Sequence, residues 1–217
     1  MSIIEFNDRV AIVTGAGGGL GRSHALELAR RGVKVVVNDL GGSVSGVGGS
    51  ATMAENVVEE IREFGGTAMA NGANVTNPEE VQDMVSSVIE KWGHIDILVN
   101  NAGIERHGSV EELSMEDFKS VMETNYFGVL RCTKSLLPIM RKNQNGCIIN
   151  VASVSGHISS SPLGAYAASK FALEAVSEAL AQEVKPFNIR VAIVEPGIIN
   201  TQMAQDIKGA SVSKSIY

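Results

Sequence analysis

Tyr166-Ala167-Ala168-Ser169-Lys170 sets a phenol and an ammonium four residues apart, at the start of an apolar-periodic segment that runs on through Phe171, Leu173, Val176 and Leu180. On a helix, positions i and i+4 share a face, so the two side chains can converge. A free tyrosine has a pKa of about 10 and is a poor base near neutrality unless a neighbouring positive charge stabilises the phenolate. Lys170 can supply that charge. Tyr166 could then accept a proton from an alcohol or return one to a carbonyl oxygen. Ser153, read as the residue that closes an apolar run, could hold the same oxygen and stabilise charge developing on it. Ser155, His157 and residues 159–161 follow in the same loop, and each could touch substrate or simply be exposed. A tyrosine and a lysine at this spacing also arise on solvated helices, so the pair gains meaning only beside an independent feature.

That feature is a glycine-rich turn, Thr14-Gly15-Ala16-Gly17-Gly18-Gly19-Leu20-Gly21, set between an apolar run and a helical pattern through Ala25, Leu26 and Leu28. A Cβ there would block a tight turn and keep the backbone away from a pyrophosphate held by amides at the positive helix end. The spacing reads T-G-x-x-x-G-x-G and not G-x-G-x-x-G, because Leu20 stands where a third small residue would be needed. Gly15, Gly19, Leu20 and Gly21 are assigned to this cradle. The next apolar run ends in Asp39, where a carboxylate can bind ribose hydroxyls and repel a 2′-phosphate. No arginine follows it, and Gly18 occupies a loop position where a basic side chain could otherwise hold that phosphate, so NAD is favoured over NADP. Asp39 could instead cap its own loop through backbone hydrogen bonds. A nicotinamide cation beside Tyr166 would add to the charge of Lys170, and the chemistry becomes transfer of a hydride and a proton between cofactor and an alcohol or ketone.

Apolar runs rich in Val and Ile recur at 9–14, 34–39, 95–100, 147–153 and 190–195, with a further strand expected from about Thr67. Helical patterns lie between them. Val81, Met84, Val85, Val88, Ile89 and Trp92 form one stripe; Val57, Val58, Ile61 and Phe64 form another, ended by Gly65-Gly66, where glycine suits a left-handed C-cap. Strands apolar on both faces, alternating with amphipathic helices, predict an α/β fold: a doubly wound parallel sheet of Rossmann type with helices on both faces, in three αβα layers. The glycine- and serine-rich stretch 41–50 reads as a mobile loop, and no repeat or linker divides the chain, so residues 1–217 are expected to form a single dinucleotide-binding and catalytic domain.

A length of 217 residues with 44% hydrophobic composition can bury a substantial core. A formal net charge of −6 argues against a nucleic-acid partner, whose phosphates need clustered Lys and Arg. No apolar run approaches the roughly 20 residues that a membrane-spanning helix requires. With two cysteines, Cys132 and Cys147, and no signal-peptide pattern, the expectation is a cytoplasmic protein without a disulfide framework; no metal ligands are assigned.

With the glycine turn, Ser153, Tyr166 and Lys170 together, the chain resembles the short-chain dehydrogenase/reductase family from about residue 5 to residue 203. The resemblance implies that Asn100-Asn101-Ala102-Gly103 supports the sheet centre and approaches the cofactor, with Asn100, Asn101, Ala102 and Gly103 as neighbours. It implies that Asn125, in a helix distortion, completes a catalytic tetrad with Ser153, Tyr166 and Lys170 by maintaining a water-linked proton relay. Tyr166 and Lys170 would also touch the cofactor. Pro196, Gly197, Ile198 and Thr201 match the segment that binds the nicotinamide amide, Ile198 through its backbone and Thr201 through its hydroxyl. Asn74, followed by Val75, stands where the family usually places an aspartate against adenine. Family members usually continue into another helix and a seventh strand; the sequence stops at Tyr217, so the sixth strand is expected to be a potential edge, whether the short form is natural or a truncation. The segment Val37-Asn38-Asp39-Leu40-Gly41-Gly42 is similar to the corresponding loop of 3-hydroxyacyl-CoA dehydrogenases in multifunctional β-oxidation enzymes. The family also implies a homodimer or homotetramer formed through the helices that carry Asn125 and Tyr166. Three functions follow: an NAD-linked alcohol dehydrogenase or ketone reductase, an NAD-binding protein with little catalysis because of the shortened C-terminus, and a different reaction such as epimerisation on the same scaffold.

Overall fold

β1 (Val10–Thr14) is fully buried on both faces, as expected of the central strand of a sheet covered on each side. The structure, a computed structural model, describes residues 4–41 and 52–199. β1 leads into α1 (Gly19–Arg30), followed by β2 (Lys34–Asn38), α2 (Thr52–Glu63), β3 (Ala68–Asn71), α3 (Pro78–Trp92) and β4 (Ile97–Asn100). The second half contains α4 (Met115–Met122), a π-helical segment (Glu123–Gly128), α5 (Val129–Asn143), β5 (Gly146–Val151), α6 (Gly164–Val184) and β6 (Ile189–Val194). The strands pair in parallel in the order β3-β2-β1-β4-β5-β6. This is the doubly wound Rossmann order, with its switch point between β1 and β4, where a ligand crevice opens beyond the strand carboxyl ends.

Alternate residues of β1 divide the core. Ala11 and Val13 pack with Ala25 and Leu26 of α1 and Val57, Val58 and Ile61 of α2. Val10 and Ile12 pack with Val81, Met84 and Val85 of α3 and Leu136 and Met140 of α5 on the opposite face. The α3 stripe is buried at Val81, Met84, Val85 and Val88; Asn77 caps its first turn and Gly93 ends it in the left-handed conformation. In the α2 stripe, Phe64 departs from expectation. It lies just past the helix, 40% exposed, beneath the Arg30 guanidinium, while Gly65 takes the expected positive φ of 85°. The chain turns there before Phe64 can reach the core.

Among the described residues β6 is an edge strand, and its outward face is open at Ala192 and Val194. Apart from Gly41, the stretch 41–50 lies outside the described residues, as does Thr201.

Candidate active site

The glycine turn is packed backbone against backbone. A Cβ on Gly21 would lie 2.1 Å from the Gly15 carbonyl oxygen, and one on Gly15 would lie 2.8 Å from Ala102 Cα. Gly15 and Gly19 both have positive φ, 61° and 52°, which glycine adopts without steric cost. Gly18, the N-cap of α1, has no side chain to cap the first turn, where Gly19 and Leu20 sit, and its amides can meet an anion. Asn101 holds the turn: its Nδ2 donates to the carbonyls of Thr14 (2.9 Å) and Gly15 (3.0 Å), while the backbone amides of Asn101 and Ala102 both donate to Thr14 Oγ1 at 3.0 Å. Asn100, the last residue of β4, supports the sheet centre as the resemblance implies: its buried side chain donates to Asn150 Oδ1 of β5 at 2.8 Å.

Asp39 follows β2 and accepts from two backbone amides, Gly17 N on Oδ2 and Gly41 N on Oδ1, each at 2.7 Å. It therefore ties the glycine turn to its own loop, and each carboxylate oxygen keeps a lone pair for a further donor. Asn74 Oδ1 accepts from Thr76 N (3.0 Å) and Thr76 Oγ1 (2.9 Å), closing a local turn, which leaves its NH2 group as the end able to meet a base. Val75 is buried against Gly128, where a Cβ would lie 2.9 Å from Val75 Cγ2.

The Tyr166–Lys170 pair lies in the first two turns of α6, with Lys170 Nζ 5.5 Å from the Tyr166 ring centre. Ser153 sits two residues past the end of β5, not within it; its Oγ accepts from Ser155 N at 3.1 Å and caps the short turn Val154–Gly156. Burial pushes the Tyr166 hydroxyl pKa above its ordinary value, a hydrogen bond with Ser153 opposes this, and the negative charge of Glu105 adds to it. Lys170 is buried and donates to the Val151 carbonyl at 2.8 Å. Burial brings its pKa down to about 8, against the opposing pull of Glu174 and Glu105. Desolvation is thus the leading effect at both members of the dyad, outweighing the Ser153 hydrogen bond at Tyr166 and the two carboxylates at Lys170.

Asn125 is fully buried in the π-helical segment. Its Oδ1 accepts from Ile104 N at 2.8 Å; its Nδ2 donates to Ile104 O at 2.9 Å and to Ser169 Oγ at 3.0 Å. Ser169 Oγ in turn donates to the Tyr166 carbonyl at 2.7 Å. The amide therefore braces the segment that leaves β4 against the turn that carries the dyad. A Cβ on Gly103 would come within 3.3 Å of Asn125 Oδ1. Past β6, the Pro196 carbonyl accepts from Val154 N at 3.2 Å, and Gly197 and Ile198 are exposed.

Two groups outside the sequence reading bear on this site. Glu105 carries a largely buried side chain paired with His107 and acts on both Tyr166 and Lys170. Glu174 is one helical turn beyond Lys170 and 6% exposed, a carboxylate on the buried face of α6 that helical spacing alone could have flagged. Neither cysteine is poised as a nucleophile: both thiols are shifted upward by burial, Cys132 to about 12.

A family model described as short chain dehydrogenase matches residues 9–211. The chain is 37% identical over 208 residues to a 3-oxoacyl-[acyl-carrier-protein] reductase of Synechocystis sp., covering 96% of this chain and 81% of that one. It is 37% identical over 213 residues to the peroxisomal hydratase-dehydrogenase-epimerase of Saccharomyces cerevisiae, spanning 98% of this chain but only 23% of that protein, in keeping with the expected likeness to multifunctional β-oxidation enzymes. It superposes with a TM-score of 0.87 on a 7α-hydroxysteroid dehydrogenase complexed with NADH and 7-oxo glycochenodeoxycholic acid, at 32% identity, covering 94% of this chain and 76% of that one. The strand order, the glycine turn and the match over 9–211 agree, and the chain belongs to the short-chain dehydrogenase family of oxidoreductases.

Proposed function

We propose that this oxidoreductase interconverts a secondary alcohol and a ketone with NAD(H), using Tyr166 as general acid and base. One observation carries the reading: a buried phenol with Ser153 at its hydroxyl and Lys170 one turn on, at the carboxyl edge of β5 and beside the crevice that the glycine turn opens. The turn fits a dinucleotide, since Gly15 and Gly21 leave no room for a Cβ and the N-cap residue Gly18 brings no side chain to the α1 amides. NAD, when bound, supplies or takes the hydride at the reacting carbon. Asp39, Asn74, Val75 and the segment Asn101–Gly103 would line the nucleotide, with Pro196, Gly197, Ile198 and Thr201 toward its nicotinamide end. The acidic Asp39 favours the form without a 2′-phosphate.

At neutral pH the raised pKa keeps Tyr166 protonated, ready to donate to the oxygen of a ketone being reduced. Ser153 holds that oxygen. In the oxidative direction Tyr166 must first lose its proton, so alcohol oxidation rises with pH. Lys170, held by the Val151 carbonyl, places its charge behind the phenol. Because both Nδ2 hydrogens of Asn125 are donated and its Oδ1 is tied to Ile104 N, its main-chain carbonyl in the π-helical segment is the group that could anchor a water next to Lys170.

The cyanobacterial relative is named a 3-oxoacyl-[acyl-carrier-protein] reductase, and from it we take a 3-oxoacyl thioester as the first substrate class to test. A cytoplasmic home and a homodimer or homotetramer formed through the helices of Asn125 and Tyr166 complete the proposal. No described helix is long and apolar enough to cross a membrane. The test is fluorescence titration with NADH and NADPH, followed by a panel of ketones and 3-oxoacyl thioesters. Tighter NADH binding with turnover, lost in Tyr166→Phe, is expected. Binding without turnover across the panel would reduce the protein to a nucleotide binder, and failure to bind either cofactor would overturn the reading.

A further inference from the structure

His157, Glu174 and Glu195 come from three separate elements and meet on the side of α6 that lies one turn beyond Lys170. His157 follows the short turn after Ser153, Glu174 lies on α6, and Glu195 directly follows β6. One potential ligand atom from each lies within 4.8 Å of the others. Backbone bonds hold the three supports together: Ala152 N donates to Val194 O at 2.8 Å, and Val154 N to Pro196 O at 3.2 Å.

The arrangement is not a satisfied ion pair. Glu174 is 6% exposed, and its Oε1 is fully buried with no hydrogen-bond partner among the described residues. His157 Nε2 is 4.0 Å from that oxygen, beyond hydrogen-bond reach, and 3.3 Å from Glu195 Oε2. A single ring nitrogen donates one hydrogen, so it cannot satisfy both carboxylates. Lys170 is already committed to the Val151 carbonyl. A buried acceptor without a donor is destabilising, and native interiors rarely keep one. Gly156 makes the space: a Cβ there would lie 2.8 Å from Glu174 Cγ and 3.1 Å from Oε1.

We propose that His157, Glu174 and Glu195 bind a divalent transition-metal ion of the zinc class, which clamps the loop carrying Ser153 to α6 and to the end of β6. A tetrahedral ion with bonds of about 2.0–2.1 Å spaces its ligand atoms about 3.3 Å apart. The His157–Glu195 pair already has that separation, and Glu174 needs to close by less than one ångström toward His157. Two carboxylates and a neutral imidazole cancel the ion's charge and leave a fourth position for water. An imidazole ligand suits zinc, cobalt or nickel; magnesium and calcium prefer sets made of oxygen alone.

The test is calorimetric titration of the tag-free, chelator-treated chain with zinc chloride, with cobalt(II) as a visible-absorption probe and magnesium as control. One zinc per chain is expected, with cobalt absorption of a four-coordinate N,O site and a melting temperature raised by about 5–10 °C at a hundredfold excess over Kd. His157→Ala and Glu195→Gln alter exposed side chains, so folding persists while affinity falls at least tenfold in each and is lost in the double variant. Zinc binding unchanged in the double variant, no binding at all, or magnesium bound as tightly as zinc would each overturn the site. None of these readouts depends on NAD or on turnover.

Discussion

Replacing Lys170 with methionine should stabilise the fold while abolishing turnover. The ammonium is buried, and its pKa falls from 10.5 to about 8 because desolvation outweighs the attraction of Glu174 and Glu105. The folded protein therefore holds this proton less tightly than the unfolded chain does. Below pH 8 both states are protonated and folding carries the full cost, about 3 kcal/mol at 1.36 kcal/mol per pH unit. Between pH 8 and 10.5 only the unfolded chain keeps the proton, the cost shrinks as pH rises, and above 10.5 it is gone. Methionine fills a similar stem volume without charge, but strips the Val151 carbonyl of its donor, a loss of about 1 kcal/mol. The net expectation is a gain of about 2 kcal/mol at pH 7, or roughly 4–8 °C in melting temperature for a chain of this size. The gain should decline with pH and reverse near 10.5. Paired thermal melts of wild type and Lys170→Met at pH 7, 9 and 10.5, with NADH consumption measured on the same samples, check it. A variant less stable than wild type at pH 7, or a difference that ignores pH, would refute the argument.

Tyr166→Phe should lower kcat about 10²–10⁴-fold with NADH affinity kept within a few-fold, because only the transferable proton is removed; steady-state kinetics beside the titration decide this. Glu105→Gln removes a charge that raises the pKa of both Tyr166 and Lys170, so the pH–rate profile for alcohol oxidation should move to lower pH; an unmoved profile would count against Glu105 acting on the dyad. Asp39→Ser removes the acceptors for the Gly17 and Gly41 amides and the negative charge, so NADH should bind at least about tenfold more weakly and the preference over NADPH should narrow, both read by fluorescence titration. Gly21→Ala drives a Cβ into the Gly15 carbonyl and should cost about 1–3 kcal/mol by denaturant melt, whereas Gly18→Ala, whose Cβ meets among the described residues only the tip of Met53 at 3.6 Å, should be tolerated.

The fold was legible because its strands are apolar on both faces and its helices on one. That contrast marks β1, β2, β4, β5 and β6 within two or three residues and separates them from stripes such as the one at Val81–Trp92. Phe64 escaped because hydrophobic spacing does not show where a chain turns away from the core. Asn100 and Asn101 were legible as a pair and not as individuals: one faces the buried sheet and the other the glycine turn, and a single-residue step in strand register decides which.

The site divides in the same way. Tyr166 and Lys170 are four residues apart on one helix, so local geometry brings them together before any tertiary contact is known. Ser153, Glu105 and Asn125 reach the dyad from the exits of β5 and β4 and from the π-helical segment, and no spacing rule links those positions. The role of Asn125 shows the limit most sharply. A buried amide next to a catalytic turn invites a part in proton transfer, yet all three of its side-chain hydrogen bonds go to structure: two to the Ile104 backbone and one to Ser169, which reaches the Tyr166 carbonyl. The side chain fixes where α6 begins relative to β4, and what remains for chemistry is a main-chain carbonyl present in every residue type. Residue identity at position 125 therefore reports the brace, while the proposed water-linked relay would depend on the helix distortion that the brace maintains.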